Sequence, residues 1–302
     1  MASPPGTLSR IVETALGCSV QACEPATGGR MAETYLLQLS GEPRRAVCKL
    51  GGPSVRTGDV VEPAVLRLVG ATTELPVPGV LASGTLRDGS GDPTRWGLYE
   101  LLPGDPPTPF PSLDPSVRRR VVRDTGETLG VLHATHQFER TGGLGIVDGS
   151  LRICDPKGPN FPEQGRRLAR LTADYGAFET RPVLTHGDLF PGNLLVDESG
   201  GITGLLDWGN AHVTTAGYAL ARAEMRFVDW FRFPKPERGR LRTALRDGYR
   251  EHRPLPADYP ALGRFYKGLW LAQSADRIRR HLLSERGRRQ LGRHLRSLLS
   301  QR

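Results

Sequence analysis

The stretch that most constrains this chain is Leu184-Thr185-His186-Gly187-Asp188-Leu189-Phe190-Pro191-Gly192-Asn193-Leu194-Leu195-Val196-Asp197, followed after Glu198-Ser199-Gly200-Gly201 by Ile202-Thr203-Gly204-Leu205-Leu206-Asp207-Trp208. Apolar runs on either side of a Gly-Gly turn read as a β-hairpin, because glycine reaches the φ > 0 angles that tight turns need. A turn centred within a residue of Gly200 sets Asn193 almost directly opposite Asp207, with Cβ atoms about 5 Å apart. An amide oxygen and a carboxylate then converge at one end of the hairpin. Such oxygen donors suit Mg²⁺, which takes few protein groups and completes its shell with water and phosphates. Asp188 precedes Asn193 by five residues, in a loop that Pro191 and Gly192 keep out of a helix, and can reach the same point from the other side. Taken singly, each of these residues would only end a strand or cap a turn. Their joint spacing points to a metal-dependent site.

The 302 residues suffice for a sizeable core, as one large domain or two lobes. The N-terminal Met1-Ala2-Ser3-Pro4-Pro5-Gly6 lacks the basic start and apolar run of a signal peptide, and no run is long enough for a membrane span. A cytoplasmic location without a membrane partner is expected. Cys18, Cys23, Cys48 and Cys154 fall at no metal-ligand spacing and read as reduced thiols. The formal charge of +9 is concentrated in residues 277–302, which hold nine Arg and one Glu. Leucines at 291, 295, 298 and 299 give that tail one apolar helical face, so it reads as a packed terminal helix with a solvated Arg face. A nucleic-acid or membrane-surface patch is the alternative reading of the tail.

Along the chain, Leu8, Ile11, Val12, Ala15 and Leu16 mark a helix ending at Gly17, and strands are expected at 20–24 and 34–39 around Gly28-Gly29. Two glycines alone indicate only a hairpin turn. The next strand, Arg45-Ala46-Val47-Cys48-Lys49-Leu50, contains one of only four lysines among 41 basic residues. Keeping Lys where Arg is otherwise preferred suits a task for a compact point charge, although Lys49 by itself also fits an exposed edge strand. Glu62 opens a helix over 60–69, with Pro63 where a helix start tolerates it and Gly70 closing it. Residues 75–81 read as an extended link, 96–102 as a strand, and Leu102–Gly104 as a lobe boundary. Helices are expected at 115–136, 162–178, 236–252, 258–283 and 286–300, with a Gly- and Pro-rich loop over 142–162. His133 reads as structural.

Read together, the motifs resemble the aminoglycoside phosphotransferase and choline or fructosamine kinase family, a relative of protein kinases, over about residues 20–255. The resemblance implies an α+β, bilobal protein-kinase-like fold. A small N-terminal β-sheet lobe with one helix would occupy 1–102 and bind nucleotide, and a larger, mainly helical C-terminal lobe at 103–302 would carry catalysis and substrate. By the same resemblance, Asp188 is the catalytic residue of a His-Gly-Asp-x4-Asn loop braced by His186, and Asn193 and Asp207 are the metal ligands. Gly28 and Gly29 would cover the phosphates, Lys49 would contact the α- and β-phosphates while paired with Glu62, and the hinge at Glu100 and Leu102 would receive adenine. ATP and Mg²⁺ are the implied cofactors, and a hydroxyl of a small molecule, antibiotic or metabolite, is the implied acceptor. The chain departs from the family at Glu33, where Asn is usual, and at Thr214-Thr215-Ala216-Gly217-Tyr218-Ala219-Leu220-Ala221, which lacks two acidic residues that normally buttress the catalytic loop. A catalytically silent nucleotide-binding protein and a nucleic-acid binder using the Arg tail are the competing readings; a nucleic-acid partner is not expected. An aminoglycoside would call for acidic walls, which Asp174, Glu179, Glu224, Asp229, Glu251, Asp258 and Asp276 are available to build.

Overall fold

The computed structural model describes residues 5–26, 32–87, 93–155, 181–257 and 259–273. Five antiparallel strands, β1 (Val20–Pro25), β2 (Ala32–Leu39), β3 (Arg45–Gly51), β4 (Val80–Leu86) and β5 (Thr94–Glu100), form a sheet in the order β1-β2-β3-β5-β4. Because side chains alternate along a strand, β3 sends Ala46, Cys48 and Leu50 to one face, where they pack with Leu8, Ile11 and Val12 of helix α1 (Pro5–Leu16). Val47 and Lys49 therefore emerge on the other face. That face looks toward helix α2 (Glu62–Thr72), whose Val65, Leu66 and Val69 are buried. The helix does not close at Gly70 as expected but continues to Thr72. One interior glycine costs about 1 kcal/mol, which the burial of its neighbour Val69 can offset.

The larger part of the chain is mainly helical, with α3 (Pro115–Thr135), α4 (Ala216–Glu224), α5 (Lys235–Arg250) and α6 (Tyr259–Gln273). Between these helices lie short strands: β6 (Gly142–Val147), β7 (Ser150–Cys154), β8 (Val183–Thr185), β9 (Leu194–Val196), β10 (Ile202–Leu205) and β11 (His212–Thr214). A four-stranded sheet runs β7-β6-β11-β8, and β9 pairs with β10. The expected loop over 142–162 is thus corrected for residues 142–154, which form a tight hairpin. Its two turn residues, Asp148 and Gly149, have φ of 48° and 74°, the two-residue geometry that Asp-Gly favours. Helix α4 was not foreseen; Thr215 caps it by accepting the Tyr218 N–H at 3.4 Å. The nucleotide-loop glycines Gly28 and Gly29, the helices expected at 162–178 and 286–300, the end of the one expected at 258–283, and the Arg-rich tail lie outside the described residues.

Two apolar clusters organise the molecule. The smaller lies between α1 and the five-stranded sheet. The larger joins Val61, Val65, Leu66 and Val69 around α2 to Phe110, Leu129, Leu132, Leu184, Leu205 and Trp208, so α2 packs with the second half of the chain although it lies within the first. The loop leading into α2 crosses over as well. Val55 N–H donates to Asn210 Oδ1 at 3.2 Å, Thr57 Oγ1 donates to Leu144 O at 2.7 Å, and Ile146 N–H donates to Asp59 Oδ2 at 3.0 Å.

Helices α3 and α5 meet backbone to backbone. A Cβ on Gly126 would lie 2.0 Å from Leu245 O, and one on Gly248 would lie 2.0 Å from Arg123 O. Gly126→Ala and Gly248→Ala are each expected to destabilise the protein by about 1–3 kcal/mol through overpacking, despite alanine's roughly 1 kcal/mol advantage in a helix. Urea unfolding midpoints at constant m would measure this. The same interface buries His133, whose Nδ1 lies 3.0 Å from Tyr249 Oη and whose Nε2 has no partner among the described residues. Burial pushes its imidazole down to about 3. In the unfolded chain it titrates near about 6.5, so unfolding takes up a proton between these values. Its contribution to stability is complete above that upper value and is lost as pH falls through the window, at about 1.4 kcal/mol per pH unit. The His133→Leu variant is expected to show a shallower loss of stability between neutral pH and pH 5, read from unfolding curves across that range.

Candidate active site

The hairpin forms, with one change of register. Leu194 pairs with Leu205 and Leu195 with Gly204, but Val196 pairs with Ile202, leaving Thr203 as an extra residue. Asn193 faces Leu206, whose N–H donates to Asn193 O at 2.9 Å, one position short of the Asp207 that was expected there. Asp207 instead occupies the left-handed region, at φ 65° and ψ 65°, where Asp is among the residues best tolerated. There the chain leaves the strand and enters the single turn Trp208–Asn210.

The His-Gly-Asp turn is fixed from both sides. His186 is fully buried, stacks on Trp208 with ring centroids 4.4 Å apart, and holds Leu206 O at 2.9 Å through Nε2. The Asp188 N–H donates to its Nδ1 at 3.3 Å, so the neutral tautomer with its proton on Nε2 satisfies both contacts. Burial pushes this imidazole down to about 4, which keeps it neutral at pH 7. Gly187 has φ 81°, and any Cβ there would lie 1.7 Å from Asn210 O. Only glycine allows that approach. Asn193 Nδ2 donates to Asp188 O at 2.9 Å, leaving the amide oxygen as the atom to offer a cation.

Lys49 reaches this region from β3. Its Nζ donates to Glu62 Oε1 and Oε2 at 2.7 and 3.0 Å and lies 3.7 Å from Asp207 Oδ1. Burial alone would disfavour the ammonium, but the Glu62 and Asp207 carboxylates together hold its pKa above the ordinary lysine value. Glu62 Oε1 also accepts the Trp208 N–H at 3.0 Å. One buried carboxylate thus joins the sheet lysine to the residue following Asp207. Glu100 is exposed and takes the Gly79 N–H on Oε2 at 3.2 Å. Beyond half-buried Leu102, Pro103 O accepts from Thr203 Oγ1 at 2.7 Å, and Asp105 exchanges backbone bonds with Val196 at 3.1 and 2.9 Å. The segment after Leu102 is therefore strapped to the hairpin that carries Asn193.

Reading residues 214–221 only as a departure overlooked two arginines just beyond them. Arg222 on α4 and Arg226 in the π-helical turn that follows it (Met225–Asp229) bring Nη2 atoms to 3.6 and 3.4 Å from Asp188 Oδ1. Their i, i+4 spacing was the available signal. The acidic wall foreseen for a polycationic acceptor is not assembled by the described candidates. Glu224 is buried in a cluster with Arg242, Arg246, Lys267 and Tyr259, and Asp229 meets Arg242 and Lys267 in the same cluster. Burial would raise the Glu224 pKa, but Lys267 and the hydrogen bonds from Lys267 and Tyr259 outweigh it and hold it at about 2. Glu251 pairs with Arg123. Asp174, Glu179, Asp258 and Asp276 lie outside the described residues.

A model of the family described as "phosphotransferase enzyme family" matches residues 22–264. The chain belongs to this family. No curated protein sequence matches it significantly. Among solved structures, this phosphotransferase is similar to a thermostable mutant of aminoglycoside phosphotransferase APH(4)-Ia in ternary complex with ADP and hygromycin B. The identity is 15%, the TM-score is 0.62, and the match covers 98% of this chain and 99% of that one. It is similar to macrolide 2'-phosphotransferase MphH of Brachybacterium faecium, at 18% identity and a TM-score of 0.54, covering 94% and 95%. A GDP complex of a mutant aminoglycoside 2'-phosphotransferase IIIa matches at 14% identity and a TM-score of 0.59, covering 98% and 97%. These likenesses establish the fold, the protein-kinase-like α+β arrangement that the motifs implied. Among the described residues of this phosphotransferase, no helix is long and apolar enough to cross a membrane.

The shared contacts of Glu62 make Lys49 and Glu62 one unit. Lys49→Met and Glu62→Gln are each expected to weaken MgATP binding, and the double variant should depart from additivity by about 0.5–3 kcal/mol. Calorimetric titration of MgATP into the four proteins of this cycle measures the coupling. Strictly additive losses would separate the two residues.

Proposed function

We propose that this phosphotransferase moves the γ-phosphoryl group of ATP to a hydroxyl of a small molecule, with Asp188 as the catalytic residue. The observation that supports this most is the continuous chain of contacts from Lys49 through Glu62 to Trp208, the neighbour of Asp207, which brings a half-buried ammonium to 3.7 Å from an exposed carboxylate. Under this reading residues 1–102 form the nucleotide-binding lobe and residues 103–302 the catalytic and acceptor-binding lobe. Adenine meets the backbone near Glu100 and Leu102, and Gly28 and Gly29 cover the phosphates.

Asn193 and Asp207 would hold Mg²⁺. Among the described residues no group of three or more His, Cys, Asp or Glu forms a cage, and the fit rests instead on one amide oxygen and one carboxylate whose side chain is 52% exposed. That sparse donor set is what a phosphate-bound Mg²⁺ takes from protein. When bound, the cation neutralises charge on the phosphate oxygens. Lys49 adds a fixed positive charge on the same side, oriented by Glu62, so it needs no reorganisation during transfer. Asp188 Oδ accepts the proton of the acceptor hydroxyl. The acceptor oxygen bonds to Pγ as the bond from Pγ to the β–γ bridging oxygen breaks, and ADP leaves with that electron pair. In a loose transition state little bond formation precedes departure, so Asp188 acts chiefly by orienting the hydroxyl. His186, Gly187 and Asn193 keep it in place.

The two aspartates should fail differently. Asp207→Asn is expected to lose Mg²⁺-dependent ATP affinity along with turnover, part of it recoverable at higher Mg²⁺. Asp188→Asn is expected to retain MgATP affinity while transfer falls by about 10²- to 10⁴-fold. MgATP titrations run beside an ADP-release assay over hydroxylated metabolites and antibiotics check both. Loss of nucleotide affinity in Asp188→Asn with retention in Asp207→Asn would reverse the roles, and full activity in both would remove the mechanism.

A further inference from the structure

The arginines beside Asp188 divide the site into two electrostatic halves. On one side, Glu62 and Asp207 exceed the single charge of Lys49, which suits a cation. On the other, Arg222 and Arg226 both lie beside the carboxylate of Asp188. Their separations of 3.6 and 3.4 Å exceed the roughly 2.7–2.9 Å of a charge-assisted hydrogen bond, so they attract Asp188 without being locked to it.

Both guanidinium groups are held for contact. Arg226 stacks on Phe190 at 4.3 Å and faces Trp270 at 5.6 Å, which orients its planar fork. Arg222 has a side chain only 14% exposed, and its buried Nε has no hydrogen-bond partner among the described residues. Buried donors of this kind ordinarily find an acceptor. The surroundings are cationic as well. Half-buried Arg56 lies 3.0 Å from His212 Nε2 through Nη2, and the His212 imidazole is pushed well down first by burial and then by the charges of Arg56 and Arg222. The acids on and just after α4 cannot compensate, because Glu224 and Asp229 are tied up by Lys267 and Arg242.

We propose that Arg222 and Arg226 receive an anionic group, a carboxylate or a phosphate, carried by the acceptor whose hydroxyl lies at Asp188. The inference rests on the phosphotransferase reading above and narrows it, since it excludes polycationic antibiotics as preferred acceptors. Planar guanidinium forks match either oxyanion through paired N–H donors. An arriving oxyanion would also draw the arginines from Asp188 and leave its carboxylate for the acceptor hydroxyl.

The test fills the nucleotide site with Mg-AMP-PNP and then titrates four probes by calorimetry: gluconate, glucose 6-phosphate, glucose and kanamycin. Gluconate or glucose 6-phosphate is expected to bind at least about tenfold more tightly than glucose, the scale of one hydrogen bond to a charged group. Which of the two anions binds better distinguishes a carboxylate site from a phosphate site. Arg222→Gln and Arg226→Gln should abolish the preference, whereas Arg222→Lys, which keeps the charge, should retain part of it. Equal binding of all four probes, no measurable binding of any, tighter binding of kanamycin, or an anion preference that survives both glutamine variants would overturn the proposal. Failure of Mg-AMP-PNP itself to bind would overturn the phosphotransferase reading beneath it, so the two failures are distinguishable.

Discussion

The carboxylate of Glu62 is the interaction on which the rest of the site depends. It is 7% exposed, and an unpaired buried carboxylate would be costly. Its position in the first turn of α2 gives it two partners from distant parts of the chain, the Lys49 ammonium and the Trp208 N–H. A single group therefore fixes the height of the sheet lysine relative to the hairpin end. Apolar packing of α2 makes this contact rigid, since Val65, Leu66 and Val69 lie in the same cluster as Trp208. Glutamine could still accept the Trp208 N–H but would leave Lys49 with the more distant Asp207 as its counter-charge.

The His-Gly-Asp turn is held by a different set of groups. Two neutral hydrogen bonds, to His186 and from Asn193, locate Asp188 by its backbone, and the close approach of Gly187 to Asn210 fixes the turn before it, while the carboxylate lies beside Arg222 and Arg226. The arginines that face it come from α4 and the π-helical turn directly after it, and the buried ion cluster around Glu224 and Lys267 fastens that helix to α6. Charge is thus used twice over one short stretch of chain, once to anchor it within the fold and once to set the potential beside Asp188.

Much of this was legible in the sequence. The alternation in β3 and the lone strand lysine indicated Lys49, and the Gly-Gly turn indicated the hairpin to within one residue. The bulge at Thr203 was not legible, because a one-residue insertion leaves the apolar pattern almost unchanged over strands this short. The Asp-Gly hairpin at 148–149 was legible and was passed over: five glycines between 142 and 158 masked a sequence that otherwise alternates. Helix α4 is short and carries Gly217 at its second position, which weakens its helical signature and that of the arginines at 222 and 226. Contacts such as Val55 to Asn210, across 155 positions, have no local signature at all.

The crossing of α2 and the loop before it into the larger apolar cluster has a consequence for dissection. A fragment ending at Leu102 would keep its own small cluster beneath α1 but would present Val61, Val65, Leu66 and Val69 with their cover removed. Such a bare stripe favours self-association over solubility. The chain's covalent order and its apolar cores therefore do not coincide, and a cut after Leu102 would divide a core.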